Sequence, residues 1–313
     1  MGPAEAQKPE VYDAPCTNCG GPGIMTEHSV STGKCLVDGC GVIDPEHENY
    51  TEIGVASQDP EIRLTVLISA RRNSKYLAKF LFGLIKNTSH PMEAQVMVML
   101  NEHDDWNNEL VHYFSEEAPI DQHVEFFREN MQLGRAGLHR YFNELVQQAR
   151  GDWIVYFCED HFITMDGWDD HIRNMVNGKL KDGDCAGKQF PLNPDEPWVL
   201  VPKFGNCGAM NHVVSRGFVE AMGGQLSQHG WLDSYINDLM AEFPERVIRF
   251  DDEMFHDFTH DDPSPMSEAH VQSVSSEKGK HLPAYDSEQV RGLIKNDQEK
   301  IKKYTVYRGK REV

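Results

Sequence analysis

The stretch YFCEDHFI, residues 156–163, sets three groups able to bind a cation in a row, Glu159, Asp160 and His161. They follow an apolar run, Trp153-Ile-Val-Tyr-Phe-Cys158, with the β-branched and aromatic composition of a strand buried on both faces. Burying such groups is costly, so they belong at the strand's exit, in a cleft. Oxygen ligands suit Mg2+ or Mn2+, and one imidazole shifts the preference toward Mn2+ or a later transition metal. Further along, FHDFTH offers His256 and His260 to complete such a site. Asp233, in GWLDSYIND, is placed to act as a general base toward an incoming hydroxyl. A cation in a cleft of this kind commonly neutralises a diphosphate as it leaves.

A second constellation lies near the N-terminus. Cys16, Cys19, Cys35 and Cys40 are four of the seven cysteines and follow the pattern Cys-x2-Cys, fifteen residues, Cys-x4-Cys. That is the spacing of a four-cysteine zinc ribbon, in which thiolates hold structural Zn2+ tetrahedrally. So short a segment cannot build a core, and metal binding is what would fold it. The odd cysteine total, with no apolar leader in MGPAEAQKPE, argues against a disulfide framework.

Elements that could position these groups begin at Arg63. RLTVLIS, AQVMVML, HVEFF and DWIVYFC read as four strands, with NSKYLAKFLFGLIKNT and GRAGLHRYFNELVQQAR as helices between them, the second closed by Gly151. Alternation of strand and helix predicts an α/β fold with a mostly parallel, Rossmann-like sheet. Ligands in such sheets bind beyond the carboxyl ends of strands. Ser69-Ala70-Arg71-Arg72, Asn101-Glu102 and Glu159-Asp160-His161 all fall at such ends.

After His161 the pattern loosens. MDGWDDHIRNMV reads as a turn and helix, and GKLKDGDCAGKQF as a loop then a strand. SRGFVEAMGG and WLDSYINDLMAEF read as short helices, and RVIRFDDEMFHDFTHDD as an edge strand running into a loop. A last helix is expected over Asp286–Lys303. The domain reading is 1–60 zinc ribbon and linker, 61–265 main domain, and 266–313 a polar, partly helical tail. A net charge of −20 excludes a surface-wide electrostatic grip on nucleic acid or anionic membrane, leaving only local basic patches. With no span of apolar residues, the expectation is a cytoplasmic protein with no membrane partner.

In this order the motifs resemble those of the family-two glycosyltransferases of the GT-A fold, over about residues 62–262. The resemblance implies helices on both faces of the sheet and a nucleotide-binding turn in LTVLISARRNS, with Ser69, Ala70 and Arg72 as donor contacts. Glu102 in MLNEHDD would meet the nucleoside, and Gly137 in GRAGLHRYFNELVQQAR belongs to the helix that follows. Glu159-Asp160-His161, then TMDGWDDHI, stands for the acidic metal motif and its Gly-Trp turn. Glu159 and Asp160 would serve the donor, Asp160 and His161 the metal, and His256 would be the late metal-binding histidine. Asp233 in GGQLSQHGWLDSYINDLM occupies the base position of an inverting transfer. Three positions depart from the family pattern: His161 replaces an aspartate, Asn101 the first nucleoside-side acid, and Leu232 the glutamate before the base.

The implied activity moves a sugar from a nucleoside diphosphate, UDP by family habit, to a hydroxyl. Glycans, proteins and small molecules are open as acceptors. The leading macromolecular acceptor is DNA with hydroxymethylated pyrimidines, the acceptor of some viral sugar transferases, which would make this a virus-encoded protein in the host cytoplasm. Trp198, Phe204 and Trp231 are then candidates for an aromatic slot. The contrasting expectation is a non-catalytic zinc-ribbon binding protein on a degenerate transferase fold.

Overall fold

The computed structural model describes residues 63–70, 74–101, 107–118, 124–129, 138–158, 161–179, 188–204, 208–209, 211–257, 283 and 285–309. The ribbon cysteines Cys16, Cys19, Cys35 and Cys40, and Arg71, Arg72, Glu102, Gly137, Glu159, Asp160 and His260, lie outside the described residues.

Apolar runs dense in branched residues become the central strands. The order is β1 (Leu64–Ser69), α1 (Ser74–Asn87), β2 (Ala94–Asn101), α2 (Asn108–His112) continuing into a π-helical turn, β3 (Val124–Glu129), α3 (Leu138–Gln148), β4 (Trp153–Cys158) and β5 (His161–Ile163). There follow α4 (Trp168–Val176), β6 (Val199–Phe204), β7 (Gly208–Ala209), β8 (Val213–Ser215), α5 (Arg216–Ala221), α6 (Leu232–Met240), β9 (Val247–Asp257) and α7 (Glu288–Gly309). Among the described residues one nine-stranded sheet runs β3-β2-β1-β4-β8-β6-β9-β5, with β7 paired to β6. Strands β1, β2, β3, β4, β6 and β9 point one way, and β5, β7 and β8 the other. The expected mostly parallel α/β sheet is therefore present, with its antiparallel members confined to the second half.

Both faces are covered, which is why LTVLIS and WIVYFC lack polar alternation. Val66, Ile68, Trp153, Val155 and Phe157 point into one core with α1 and α4. Their neighbours Leu67, Ile154 and Tyr156 point into the other, with α3, α5, α6 and α7. The C-terminal segment expected to be polar buries Val290, Ile294 and Ile301 in this second core.

Several local expectations are corrected. Strand β9 is not an edge strand, because β6 and β5 flank it. Residues 188–190, read as part of a strand, are not in one, and the strand forms further on at β6. Helix α3 ends at Gln148, before Gly151. Gly151 instead allows close approach to β1: a Cβ there would meet the Leu64 carbonyl carbon at 2.7 Å, and its N–H donates to Thr65 Oγ1 at 2.8 Å.

The turn TMDGWDDHI is an anchor. Gly167 adopts φ 68°, a conformation that favours glycine, and Trp168 is fully buried with Nε1 donating to Thr88 Oγ1 at 3.0 Å. The Asp169 carboxylate, 0% exposed, accepts from the Ser89 and His90 N–H groups at 2.8 and 2.9 Å. It thereby ties α4 to the end of α1. Asp169→Ala leaves those two donors unpaired and should cost roughly 2–4 kcal/mol in urea unfolding followed by tryptophan fluorescence. A loss below about 0.5 kcal/mol would show that the tie is dispensable.

Candidate active site

The carboxyl ends of the parallel strands form one edge. Ser69 ends β1 at 4% exposure, in register with Met99 of β2 and Cys158 of β4. Ala70 follows, its N–H donating to Met99 O at 3.0 Å and its methyl buried in the first core. Asn101 ends β2 opposite Glu129.

Asp233 reaches this region from the first turn of α6. Its Oδ1 accepts from the Tyr156 hydroxyl at 2.7 Å and from the Asn211 N–H at 2.9 Å, and His212 Nδ1 lies 3.5 Å away. Its Oδ2 accepts no hydrogen bond among the described residues, and the side chain is 26% exposed. Burial pushes the Asp233 pKa up. Hydrogen bonding and charge from His212, with the bonds from Tyr156 and Asn211, more than offset this and hold the carboxyl below its ordinary range. The Tyr156 hydroxyl shifts the other way: burial first, then the Asp233 carboxylate, raise its pKa well above the usual value, so it stays a donor.

Asn211 links this carboxylate to His161. It is the one non-glycine residue with positive φ among the described residues, at 53°, a conformation asparagine tolerates better than most. Its N–H points to Asp233 while its side-chain nitrogen lies 3.1 Å from His161 Nδ1. The Cys158 N–H also donates to His161 Nδ1, at 3.1 Å. Two donors on Nδ1 place the neutral ring's proton on Nε2. His161 opens β5, where it pairs with Asp257, and Phe162 pairs with His256. The backbone thus brings position 256 beside 162. Among the described residues no three His, Cys, Asp or Glu side chains converge on a cation position.

The segment before α6 is braced from two sides. Asn143 of α3 donates to Ser227 O at 2.7 Å and accepts from the Leu226 N–H at 2.7 Å. Asp297 of α7, 0% exposed, accepts from Gln228 at 2.7 and 2.8 Å and from the Tyr235 hydroxyl at 2.6 Å. Lys300 pairs with the same carboxylate at 2.7 Å. Trp231, two residues ahead of Asp233, is 46% exposed. Trp198 is only 6% exposed, with the Arg246 guanidinium 4.8 Å from its ring centre, which removes it as an acceptor slot.

Sequence reading missed Tyr156, Asn211 and His212. Tyr156 was legible in part, because a buried tyrosine hydroxyl needs a partner. Asn211 and His212 carry no periodic or spacing signal.

No protein-family model and no curated protein sequence matches the chain. Solved structures do. S. aureus TarS aligns at 13% identity and TM-score 0.46, covering 67% of this chain and 38% of TarS. TarS 1–349 in complex with UDP-GlcNAc aligns at 13% identity and TM-score 0.45, covering 62% of this chain and 58% of that one. Mannosyltransferase PcManGT from Pyrobaculum calidifontis, in complex with GDP-Man and Mn2+, aligns at 16% identity and TM-score 0.48, covering 63% of this chain and 57% of that one. The chain thus spans less than two thirds of each of these proteins. No helix among the described residues is long and apolar enough to cross a membrane.

The brace on residues 226–235 can be tested directly. Asp297→Ala should speed amide hydrogen exchange there by about tenfold or more while leaving β1 and β2 protected. Unchanged exchange in 226–235 would remove α7 from the support of this segment.

Proposed function

We propose that the chain is a glycosyltransferase that moves a sugar from a nucleoside diphosphate to an acceptor hydroxyl with inversion, and that Asp233 is its general base. The observation that carries this reading is the asymmetry of the Asp233 carboxylate. Oδ1 is held by Tyr156 and Asn211, while Oδ2 is left to accept a proton. In the reaction the acceptor oxygen bonds to the anomeric carbon, the bond to the diphosphate breaks, and the acceptor proton passes to Oδ2. A carboxylate held at low pKa is a weak base, so the proton leaves late, once the attacking oxygen has become acidic by bonding.

The donor would lie along the carboxyl edge of β1, β2 and β4, against Ser69, Ala70, Arg72, Glu102, Gly137, Glu159 and Asp160. We assign a divalent cation, Mn2+ or Mg2+, to Asp160 and His256; bound there it would neutralise the diphosphate. His161 then acts as a strand-end acceptor for Cys158 and Asn211 rather than as a ligand. Cys16, Cys19, Cys35 and Cys40 would hold the structural Zn2+. Exposed Trp231 beside the base suits a planar or sugar acceptor, which supports hydroxymethylated DNA bases and glycans alike.

The full chain is incubated with Mn2+, pooled nucleotide sugars and DNA containing hydroxymethylpyrimidines, and nucleosides are read by mass spectrometry. A hexose on the base is expected; nucleotide release without it would move the acceptor to a glycan or protein. Asp233→Asn should keep calorimetric binding of UDP with Mn2+ and lose about 10²- to 10⁴-fold in turnover. Absence of both metal-dependent UDP binding and nucleotide release in the wild type would favour a non-catalytic binding protein.

A further inference from the structure

His212 is the least expected residue of the site. Its side chain is 0% exposed, and both ring nitrogens have partners: Nδ1 lies 2.9 Å from the Tyr156 hydroxyl, and Nε2 lies 3.1 Å from Asn237 Oδ1. Asn237 sits one helical turn beyond Asp233 on α6. The imidazole therefore reaches the same helix twice, directly at Asn237 and through the Tyr156 hydroxyl at Asp233. A core position needs no such group. An apolar side chain would fill the space without three polar partners to satisfy.

Resting on the reading of Asp233 as the base, we propose that Tyr156 and His212 are positioning residues, a buried phenol–imidazole pair that fixes Oδ1 and presents Oδ2 to the acceptor hydroxyl. The phenol has one proton. Given to Asp233 Oδ1, it leaves the phenol oxygen to accept from His212 Nδ1–H, and Nε2 then accepts from Asn237 once that amide is turned to present Nδ2 in place of Oδ1. Each member sets the next: Asn237 the ring, the ring the phenol, and the phenol the carboxylate. The pair also keeps the carboxylate ionised, since a hydrogen bond to the charged form favours it. The titratable groups facing Asp233 are Tyr156 from β4 and His212 ahead of β8, and Cys158 acts on Tyr156; Asn211 and Asn237 are uncharged, and His161 is reached only through Asn211.

The test uses the full chain and needs no knowledge of the acceptor. Carboxyl-labelled aspartate is titrated by NMR in wild type, Tyr156→Phe, His212→Leu and His212→Asn, with the Asp233 signal assigned from Asp233→Asn. Calorimetry with UDP and Mn2+ and nucleotide release from pooled nucleotide sugars are measured alongside. Tyr156→Phe removes only the hydroxyl. It should move the Asp233 titration, and the acid limb of turnover with it, to higher pH. Turnover should fall roughly tenfold to a hundredfold while UDP affinity stays within about twofold. His212→Leu should act in the same direction, and His212→Asn, which keeps a donor near Nδ1, should recover part of the loss. Turnover lost without any move of the titration would make the pair mere packing and overturn the proposal. An unmoved titration with unchanged turnover would do the same. Asp233→Asn at full turnover would instead remove the base reading, while the titration would still report whether the pair grips the carboxylate.

Discussion

A single carboxylate oxygen, Oδ1 of Asp233, is where separate parts of the chain meet. Strand β4 sends the Tyr156 hydroxyl, the bend before β8 sends the Asn211 N–H, and α6 supplies the carboxylate itself. A partly buried charge persists only where hydrogen bonds replace the water it has lost. Here those bonds come from residues 55 or more positions apart in the case of β4 and the 211–212 bend, and the antiparallel pairing of Val155 with Val213 is what makes them neighbours. The carboxylate thus depends on the sheet, and the orientation of α6 depends on the carboxylate.

Around this point, order is supplied by buried and half-buried polar ties rather than by packing alone. Asn143 fixes the backbone at Leu226 and Ser227, and Asp297 fixes Gln228 and Tyr235. Asp169 does the equivalent work on the opposite face, holding α4 against the end of α1. Asp169 and Asp297 are buried groups whose partners would be stranded without them, so each is more costly to lose than a solvent-exposed ion pair. The segment carrying Trp231 and Asp233 is consequently held at both ends while its aromatic tip is exposed. That combination suits a surface that must present one carboxylate in fixed orientation to an incoming group.

The histidine at the strand end has close partners within the fold. Glu-Asp-His after an apolar strand reads as three cation ligands in a row. In the fold, His161 opens β5, and its Nδ1 receives the Cys158 N–H. Pairing of Phe162 with His256 still brings the late histidine to the same edge.

What the sequence determined by itself was the part governed by local pattern. Continuous apolar runs declared β1, β2 and β4 as doubly covered strands, because only a strand buried on both faces loses its polar alternation. The i, i+3, i+4 spacing of Leu77, Phe80, Leu81 and Leu84 declared α1. Asp233, at the start of a helix behind a glycine-bearing loop, stood out by motif order. Tertiary structure alone decided that β9 is interior, that Gly151 serves a close approach rather than a cap, and that α7 closes the second core. It alone could bring Tyr156, Asn211 and His212 to Asp233. A hydrogen bond between groups far apart in the chain leaves no periodicity in the sequence, and its energy exists only once the sheet has made them neighbours.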